Sequence, residues 1–159
     1  MDTVESVIEG KHKCLLSIHF TLLHFMLIFI LNENTSENVT KIFIFLQETL
    51  GRTLYKKLFR VILTDRGLEF TNPNTIENHY KTGRKITDIF YCNSYASYQK
   101  GSIEQNHGLI RYVIPKGQIF DNLNQDDINK LVSHINSYYR DSIGTIPYIL
   151  AKKYFGNVF

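Results

Sequence analysis

The stretch "CLLSIHFTLLHFMLIFIL", residues 14–31, decides between two kinds of protein. It has no formally charged residue over a length that reaches the lower limit for a membrane-spanning helix. Polar residues interrupt it at Ser17, His19, Thr21 and His24. The preceding "MDTVESVIEG" is acidic, unlike the basic start of a signal peptide. We therefore expect two strands, at about 13–20 and 24–31, joined by a tight turn, with one membrane span as the alternative.

The composition limits what the rest of the chain can build. With 159 residues, 43% of them hydrophobic, the chain has enough material for one domain with its own core, over residues 1–159. Its 18 basic and 15 acidic residues give a net charge of +3, which is compatible with nucleic acid but does not require it. Cys14 and Cys92 lack the spacing of a disulfide framework or a zinc site, so we expect a cytoplasmic protein.

Helix and strand signals alternate beyond residue 31. N-cap candidates at Thr35 and Ser36 and a C-cap candidate at Gly51 predict a helix over about 36–49. A short helix-like "RTLYKKLF" follows, then the strand "RVILTD", the helix-like "PNTIENHYKTG" and the strand "ITDIFYC". Two more helices are indicated, one after Gly101 and one in "NQDDINKLVSHINSYYR".

This order predicts an α/β fold with one five-stranded mixed sheet flanked by helices. The first three strands, at about 2–8, 13–20 and 24–31, are expected to be antiparallel. The other two, at about 61–65 and 86–91, are expected to add to the same sheet in parallel.

A carboxylate directly follows an apolar strand in "ILTDRGLEFTNP", residues 62–73. The carboxyl ends of strands are where α/β folds place their ligands, although Asp65 could equally cap the turn that follows it. Asp2 lies at the start of the first strand and Glu104 in the first turn of a helix. If these three acids meet at one edge of the sheet, they form an all-oxygen site for Mg²⁺ or Mn²⁺.

Three segments together resemble the catalytic blocks of insertion-sequence transposases of the IS-thirty family, which belong to the DDE integrase superfamily. They are "MDTV", "ILTDRGLEFTNP" and "YQKGSIEQNHGLIRYVIPKG", and the resemblance continues to "IPYILAKKYFG". It implies a ribonuclease H-like fold, an acidic triad of Asp2, Asp65 and Glu104, and a pair of Mg²⁺ or Mn²⁺ ions. It also implies that water nicks the transposon end, that the freed 3′-hydroxyl attacks target DNA, and that the active complex is a homo-oligomer.

Candidate DNA contacts surround the third segment. His107, Gly108 and Arg111 share a helix face with Glu104, where Arg111 could contact a phosphate. The alternative for this face is an ordinary solvated helix surface. Further candidates are the basic and aromatic residues nearby, which could contact phosphates or stack on bases, or simply pack: Tyr95, Tyr98, Lys100 and Lys116. Arg66, next to Asp65, could contact DNA or pair with Glu69.

The chain departs from the family pattern in three places. It begins at Met1, one residue before the first acid, so we expect the family's N-terminal helix-turn-helix region to be absent. The hairpin turn "HFTLLHF" is apolar where the family has charges, and Asn93 and Ser94 replace the usual Asp-Pro. These departures favour a truncated or decaying copy. A catalytically inactive DNA-binding remnant of the same fold and a small membrane-anchored protein remain as alternatives.

Overall fold

The structure is a computed structural model that describes residues 1–6, 12–93 and 101–156. Its strands are β1 (Asp2–Glu5), β2 (Cys14–Phe20), β3 (Phe25–Leu31), β4 (Val61–Thr64) and β5 (Asp88–Tyr91). Its helices are α1 (Ser36–Leu58), α2 (Pro73–Glu77), α3 (Gly101–Val113), α4 (Gln125–Ser137) and α5 (Pro147–Phe155). The predicted α/β class is confirmed.

Residues 14–31 form a hairpin of β2 and β3. The two strands pair antiparallel, from Cys14 opposite Leu31 to Phe20 opposite Phe25. A single 3-10 turn joins them and ends at His24, which has a left-handed φ of 50°. Within the part of the chain that the structure describes, no helix is long and apolar enough to cross a membrane. The hairpin prediction is confirmed, and the alternative of one helix over this stretch is wrong.

The hairpin shows no alternation of polar and apolar residues because helices cover both of its faces. Leu16 and Ile18 pack into a core that includes the apolar side of α1. Leu15, Met26 and Ile28 pack into a second core with residues of α3 and α4. A strand that is buried on both faces has a nearly continuous hydrophobic sequence, which is also what a membrane span looks like.

The described strands form two sheets in place of the single five-stranded sheet that we expected. One sheet has the order β1-β2-β3 and is antiparallel, and the other is the parallel pair of β4 and β5. The amino group of Met1 bridges them by donating to the carbonyl of Leu63 at 2.5 Å. Met1 precedes β1 and Leu63 is next to last in β4, so the two strands meet at their ends and, in the described residues, form no ladder.

The helices differ from the prediction at three points. The helix over 36–49 and the short helix after it are two arms of α1, which bends at Gly51, where φ is 67°. The helix that begins at Pro73 ends at Glu77, because the chain then turns back so that Asn78 pairs with Lys85. The sequence analysis did not predict α5, although Pro147 at its first position is a helix-start signal.

Side chains of α4 close the outer edge of β3. The Oδ1 of Asn136 accepts from the Met26 N–H at 2.9 Å, and its Nδ2 donates to the Met26 carbonyl at 2.8 Å. Gln125 accepts from the Ile30 N–H at 3.0 Å and donates to the Ile28 carbonyl at 2.9 Å. An edge strand otherwise presents unpaired peptide groups, so these two amides take the place of a neighbouring strand.

Candidate functional site

An open groove lies between β1, the end of β4 and α3, and we name it the β1–α3 groove. Its lining residues are Asp2, Thr3, Val4, Glu5, Ser6, Asp65, His107, Arg111, Lys116 and Gly117. They include two of the three predicted triad acids and three of the predicted DNA contacts. The fold therefore brings to one surface residues that are far apart in the sequence.

Asp65 directly follows β4, and its carboxylate both caps a turn and lines the groove. Its Oδ1 accepts from the Gly67 N–H at 3.1 Å, which is the turn-capping role that the sequence left open. An ionised carboxylate has two oxygens and can accept several hydrogen bonds, and Asp65 also lines the groove. The two explanations are compatible, because the turn holds the carboxylate at the groove wall.

The buried carboxylate of Glu69 connects the turn that follows β4 to β1. Glu69 lies in the 3-10 turn Leu68–Phe70, is 7% exposed, and accepts from the Thr3 Oγ1 at 2.6 Å. Gly67 allows the chain to pass beside it, since a Cβ at that position would collide with the Glu69 carboxylate. The tertiary partner of Glu69 is thus a hydroxyl on β1.

Hydrogen bonds from Met1 and Ser17 hold the start of β1, and with it Asp2, at the groove. The Met1 amino group donates to the Leu63 carbonyl at 2.5 Å, which places the start of β1 beside the end of β4. From the other side, the Ser17 Oγ donates to the Asp2 carbonyl at 2.9 Å. As a result, Asp2 and Asp65 line the same groove.

Glu104 is exposed in the first turn of α3 and does not line the groove. His107 and Arg111, three and seven residues later on the same helix face, do line it. Over residues 1–6, 12–93 and 101–156, no three His, Cys, Asp or Glu side chains lie close enough together to hold a metal ion. The structure therefore brings Asp2 and Asp65 together, and the completion of the triad by Glu104 stays a prediction.

His107 and Arg111 both contact the strands that carry the groove. The Nε2 of His107 lies 2.7 Å from the Ser17 Oγ. Arg111 donates from Nη2 to the Glu5 carbonyl at 2.6 Å, and its guanidinium lies 5.8 Å from the centre of the Phe120 ring. Partial burial lowers the pKa of Arg111, and its Nη1 is shielded from solvent without a hydrogen-bond partner among the described residues. These contacts give both side chains a structural role at the groove.

The other predicted DNA contacts lie in different places. Lys116 is exposed at a turn where Gly117 has a φ of 91°, and both residues line the groove. Arg66 is exposed beside a separate small pocket that Phe70 also lines. Three further candidates lie outside the described residues: Tyr95, Tyr98 and Lys100.

The sequence analysis missed a polar cluster around Asn106 of α3. The Nδ2 of Asn106 lies 3.1 Å from the Nε2 of His19, and Arg140 donates to the Asn106 Oδ1 at 3.1 Å. Burial lowers the pKa of His19 to about 4, and the nearby charges of His24, the chain amino group, Arg140 and His107 act in the same direction. The available signal was the pair of polar residues, Ser17 and His19, inside the apolar stretch.

Comparison with known proteins relates the chain to transposases. No protein-family model matches it. It is 32% identical over 90 residues to the transposase for insertion sequence element IS4351 of Bacteroides fragilis, which covers 56% of this chain and 26% of that protein. It is 34% identical over 94 residues to the probable transposase for insertion-like sequence element IS1161 of Streptococcus salivarius, which covers 59% of this chain and 24% of that protein. The chain thus spans about a quarter of the length of these relatives, and its similarity to them supports a transposase.

Proposed function

We propose that this chain is the DNA-processing core of an insertion-sequence transposase of the IS-thirty type. Similarity to two transposases supports a role in transposition. The finer proposal is a DDE core of the ribonuclease H type that cleaves transposon ends and joins them to target DNA as a homo-oligomer. The observation that carries it is the presence of Asp2 and Asp65 in one groove, although one precedes and the other follows the whole β2–β3 hairpin.

The carboxylates of the groove suit a hard divalent cation. Protein-bound Mg²⁺ commonly uses one or two carboxylates and completes its shell with water and phosphate oxygens. Asp2 and Asp65 offer two such carboxylates, and Glu104 lies on the helix face that continues into the groove. We assign these three residues as the ligands of Mg²⁺ or Mn²⁺. A pair of such ions, when bound, polarises the attacking and leaving oxygens of a phosphoryl displacement.

The basic residues of the groove suit the DNA backbone. Lys116 is exposed, and Arg111 lies between the end of β1 and α3. Contacts of such residues with phosphates position DNA without reading its sequence, and they make binding sensitive to salt. DNA that lies along α3 would bring its phosphates close to Asp2 and Asp65.

A nicking assay on supercoiled plasmid with Mn²⁺ tests this proposal. Asp65→Asn should abolish nicking, because the amide keeps an acceptor for the Gly67 N–H but removes the charge that binds the cation. Asp88→Asn is the matched control, since Asp88 is an exposed strand acid that pairs with Lys85 away from the groove. This control should nick like the unchanged protein, and the loss of nicking in Asp65→Asn prepared in the same way excludes a contaminating nuclease.

Glu104→Gln tests the third ligand separately. It should abolish nicking and leave salt-sensitive DNA binding in place. Nicking at the unchanged rate would remove Glu104 from the ligand set. A folded protein that binds DNA and Mn²⁺ but never nicks would refute the enzymatic proposal and leave a non-catalytic DNA-binding remnant.

A further inference from the structure

The second arm of α1 and the two residues after it carry four cations that the proposed function does not use. They are Arg52, Lys56, Lys57 and Arg60, and we name this surface the basic arm. All four residues are exposed. No acidic residue occurs over residues 49–64, and the whole chain has a net charge of only +3. The basic arm is therefore a local concentration of positive charge.

The acids that lie near the ends of the basic arm have other partners. The Glu48 carboxylate, which precedes the kink in α1, accepts from the Tyr80 hydroxyl at 2.7 Å. At the other end, the Asp88 N–H donates to the Arg60 carbonyl at 3.3 Å, but the Asp88 carboxylate pairs with the Lys85 ammonium at 2.7 Å. Within the described residues, no cation of the basic arm makes an ion pair.

Helix stability does not explain all of this charge. The carboxyl end of a helix favours cations, which accounts for Lys56 and Lys57 in the last turn of α1. Arg52 instead begins the second arm, just after the kink at Gly51, where the helix dipole disfavours a cation. Arg52 and Lys56 are also four residues apart on one helix face, a spacing at which like charges destabilise a helix. A polyanion bound to this face removes that repulsion.

The basic arm lies away from the β1–α3 groove. Arg60 directly precedes β4 and Asp65 directly follows it, and five steps of extended chain span roughly 16 Å. Along the axis of the arm, Arg52 and Lys57 are roughly 8 Å apart. This distance corresponds to two or three steps of about 3.4 Å along one strand of duplex DNA. The arm thus fits a short run of consecutive phosphates at the end of β4 opposite the groove.

We propose that the basic arm binds the phosphate backbone of duplex DNA, as a contact surface separate from the β1–α3 groove. The choice of DNA among polyanions rests on the proposed function, whereas the charge and its lack of ion pairs do not. Contacts of lysine and arginine with phosphates carry no sequence information. The arm therefore holds a duplex of any sequence on the protein.

DNA binding by a variant of the arm tests this proposal. The probe is a duplex of about 30 base pairs of arbitrary sequence, in EDTA, titrated over a range of salt concentrations. The variant combines Arg52→Gln, Lys56→Gln and Lys57→Gln, because glutamine is uncharged and has a similar helix propensity. Its affinity should fall at least tenfold, and the slope of log affinity against log salt should fall by about 2–3, since each phosphate contact contributes about 0.9.

A second triple variant is the matched control. It removes three exposed cations from α4 and α5, through Lys130→Gln, Lys152→Gln and Lys153→Gln. Both variants lose the same net charge, so the control measures the effect of net charge alone. Its salt slope should change by less than about 1. Equal losses in the two variants would overturn the proposal, and so would an unchanged slope in the variant of the arm.

Lysine acetylation of the unchanged chain gives a check that needs no variant to fold. The duplex should slow acetylation of Lys56 and Lys57 about fivefold or more, measured by mass spectrometry, and should leave Lys130 unprotected. Equal rates with and without the duplex would refute the proposed contact. Protection of Lys56 and Lys57 by vesicles of phosphatidylserine and phosphatidylcholine, without protection by DNA, would refute it too and would assign the surface to an anionic membrane.

These measurements separate this proposal from the enzymatic one. EDTA removes divalent cations, so DNA binding by the arm is measured without nicking. A chain that binds DNA through the arm but never nicks with Mn²⁺ would support the arm and refute the enzymatic proposal. A chain that nicks while the arm stays unprotected by DNA would refute the arm alone.

Discussion

Two strand edges in this protein differ in the groups that bond their peptide N–H and carbonyl groups. At the edge of β3, the amides of Asn136 and Gln125 bond the peptide groups that a further strand would otherwise pair. At the edge of β4 that faces β2, the Met1 amino group bonds the Leu63 carbonyl beside an apolar cleft. The first edge is closed by the fold itself and therefore contributes stability. The second edge forms no ladder with another strand in the described residues, and it adjoins the groove that carries Asp2 and Asp65.

The largest effect is expected from breaking the closed edge at its buried amide. Asn136 is 3% exposed, and Asn136→Leu leaves the Met26 N–H and carbonyl without their partners. Unfolding in urea should show a loss of about 2–4 kcal/mol, because unsatisfied buried peptide groups are costly. The same substitution at the exposed Asn122 should change stability by less than about 0.5 kcal/mol. Similar losses at both positions would show that the amide does not close the edge.

The free energy of unfolding should depend on pH through the region beside the β4 edge, because His19 lines the apolar cleft there. Its pKa falls from 6.5 to about 4 in the folded chain, so below pH 6.5 the unfolded chain binds more protons than the folded chain does. The stability that depends on a neutral His19 is complete above pH 6.5 and is lost as the pH falls toward about 4. We expect a loss of about 2 kcal/mol in urea unfolding over this range, after allowing for the partial exposure of the ring.

Substitution isolates this pH dependence. The charged or titratable groups that act on His19 are His24, the chain amino group, Arg140 and His107. His19→Gln should flatten the stability profile between pH 6.5 and 4, whereas His134→Gln, at an exposed position of α4, should leave it unchanged. A profile that keeps its slope in His19→Gln would assign the pH dependence to another group.

A smaller effect is expected at the other closing amide. Gln125 is only partly buried, so in Gln125→Leu water can replace some of its bonds to Ile28 and Ile30. The free energy of unfolding should fall by about 1–2 kcal/mol. Gln118→Leu is the matched exposed control. A loss larger than that of Asn136→Leu would reverse the ranking that burial predicts.

The smallest effect on stability is expected from breaking the hydrogen bond between Thr3 of β1 and Glu69, in the turn that follows β4. Thr3→Val removes the hydroxyl that bonds Glu69 and should lower the free energy of unfolding by about 1 kcal/mol. The nicking rate should fall by more than any loss of folded protein explains, because Asp2 is next to Thr3, whose bond to Glu69 is lost. Thr53→Val, at an exposed position of α1, is the control for both measurements. Unchanged nicking in Thr3→Val would show that this bond does not position Asp2.

The local parts of the fold were predictable, and the contacts between remote parts were not. The hairpin over 14–31, an interruption of the helix at Gly51 and the parallel pair of β4 and β5 follow from apolar runs and glycine positions. The single five-stranded sheet did not form, because β1 reaches β4 only through Met1. No helix was predicted in "IPYILAKKYFG", where α5 forms.

By itself, the sequence determined that the chain is α/β and that Asp65 follows a strand end, and it favoured a hairpin over a membrane span for the most apolar stretch. Hydrophobic periodicity and turn residues carry this information because they act between near neighbours in the chain. Only the tertiary structure decided that Asn136 closes β3, that Glu69 bonds Thr3, and that Asp2 reaches the groove of Asp65. These pairings depend on which remote elements come together and in which orientation, and a polar residue has the same local pattern whether its partner is water or a buried peptide group.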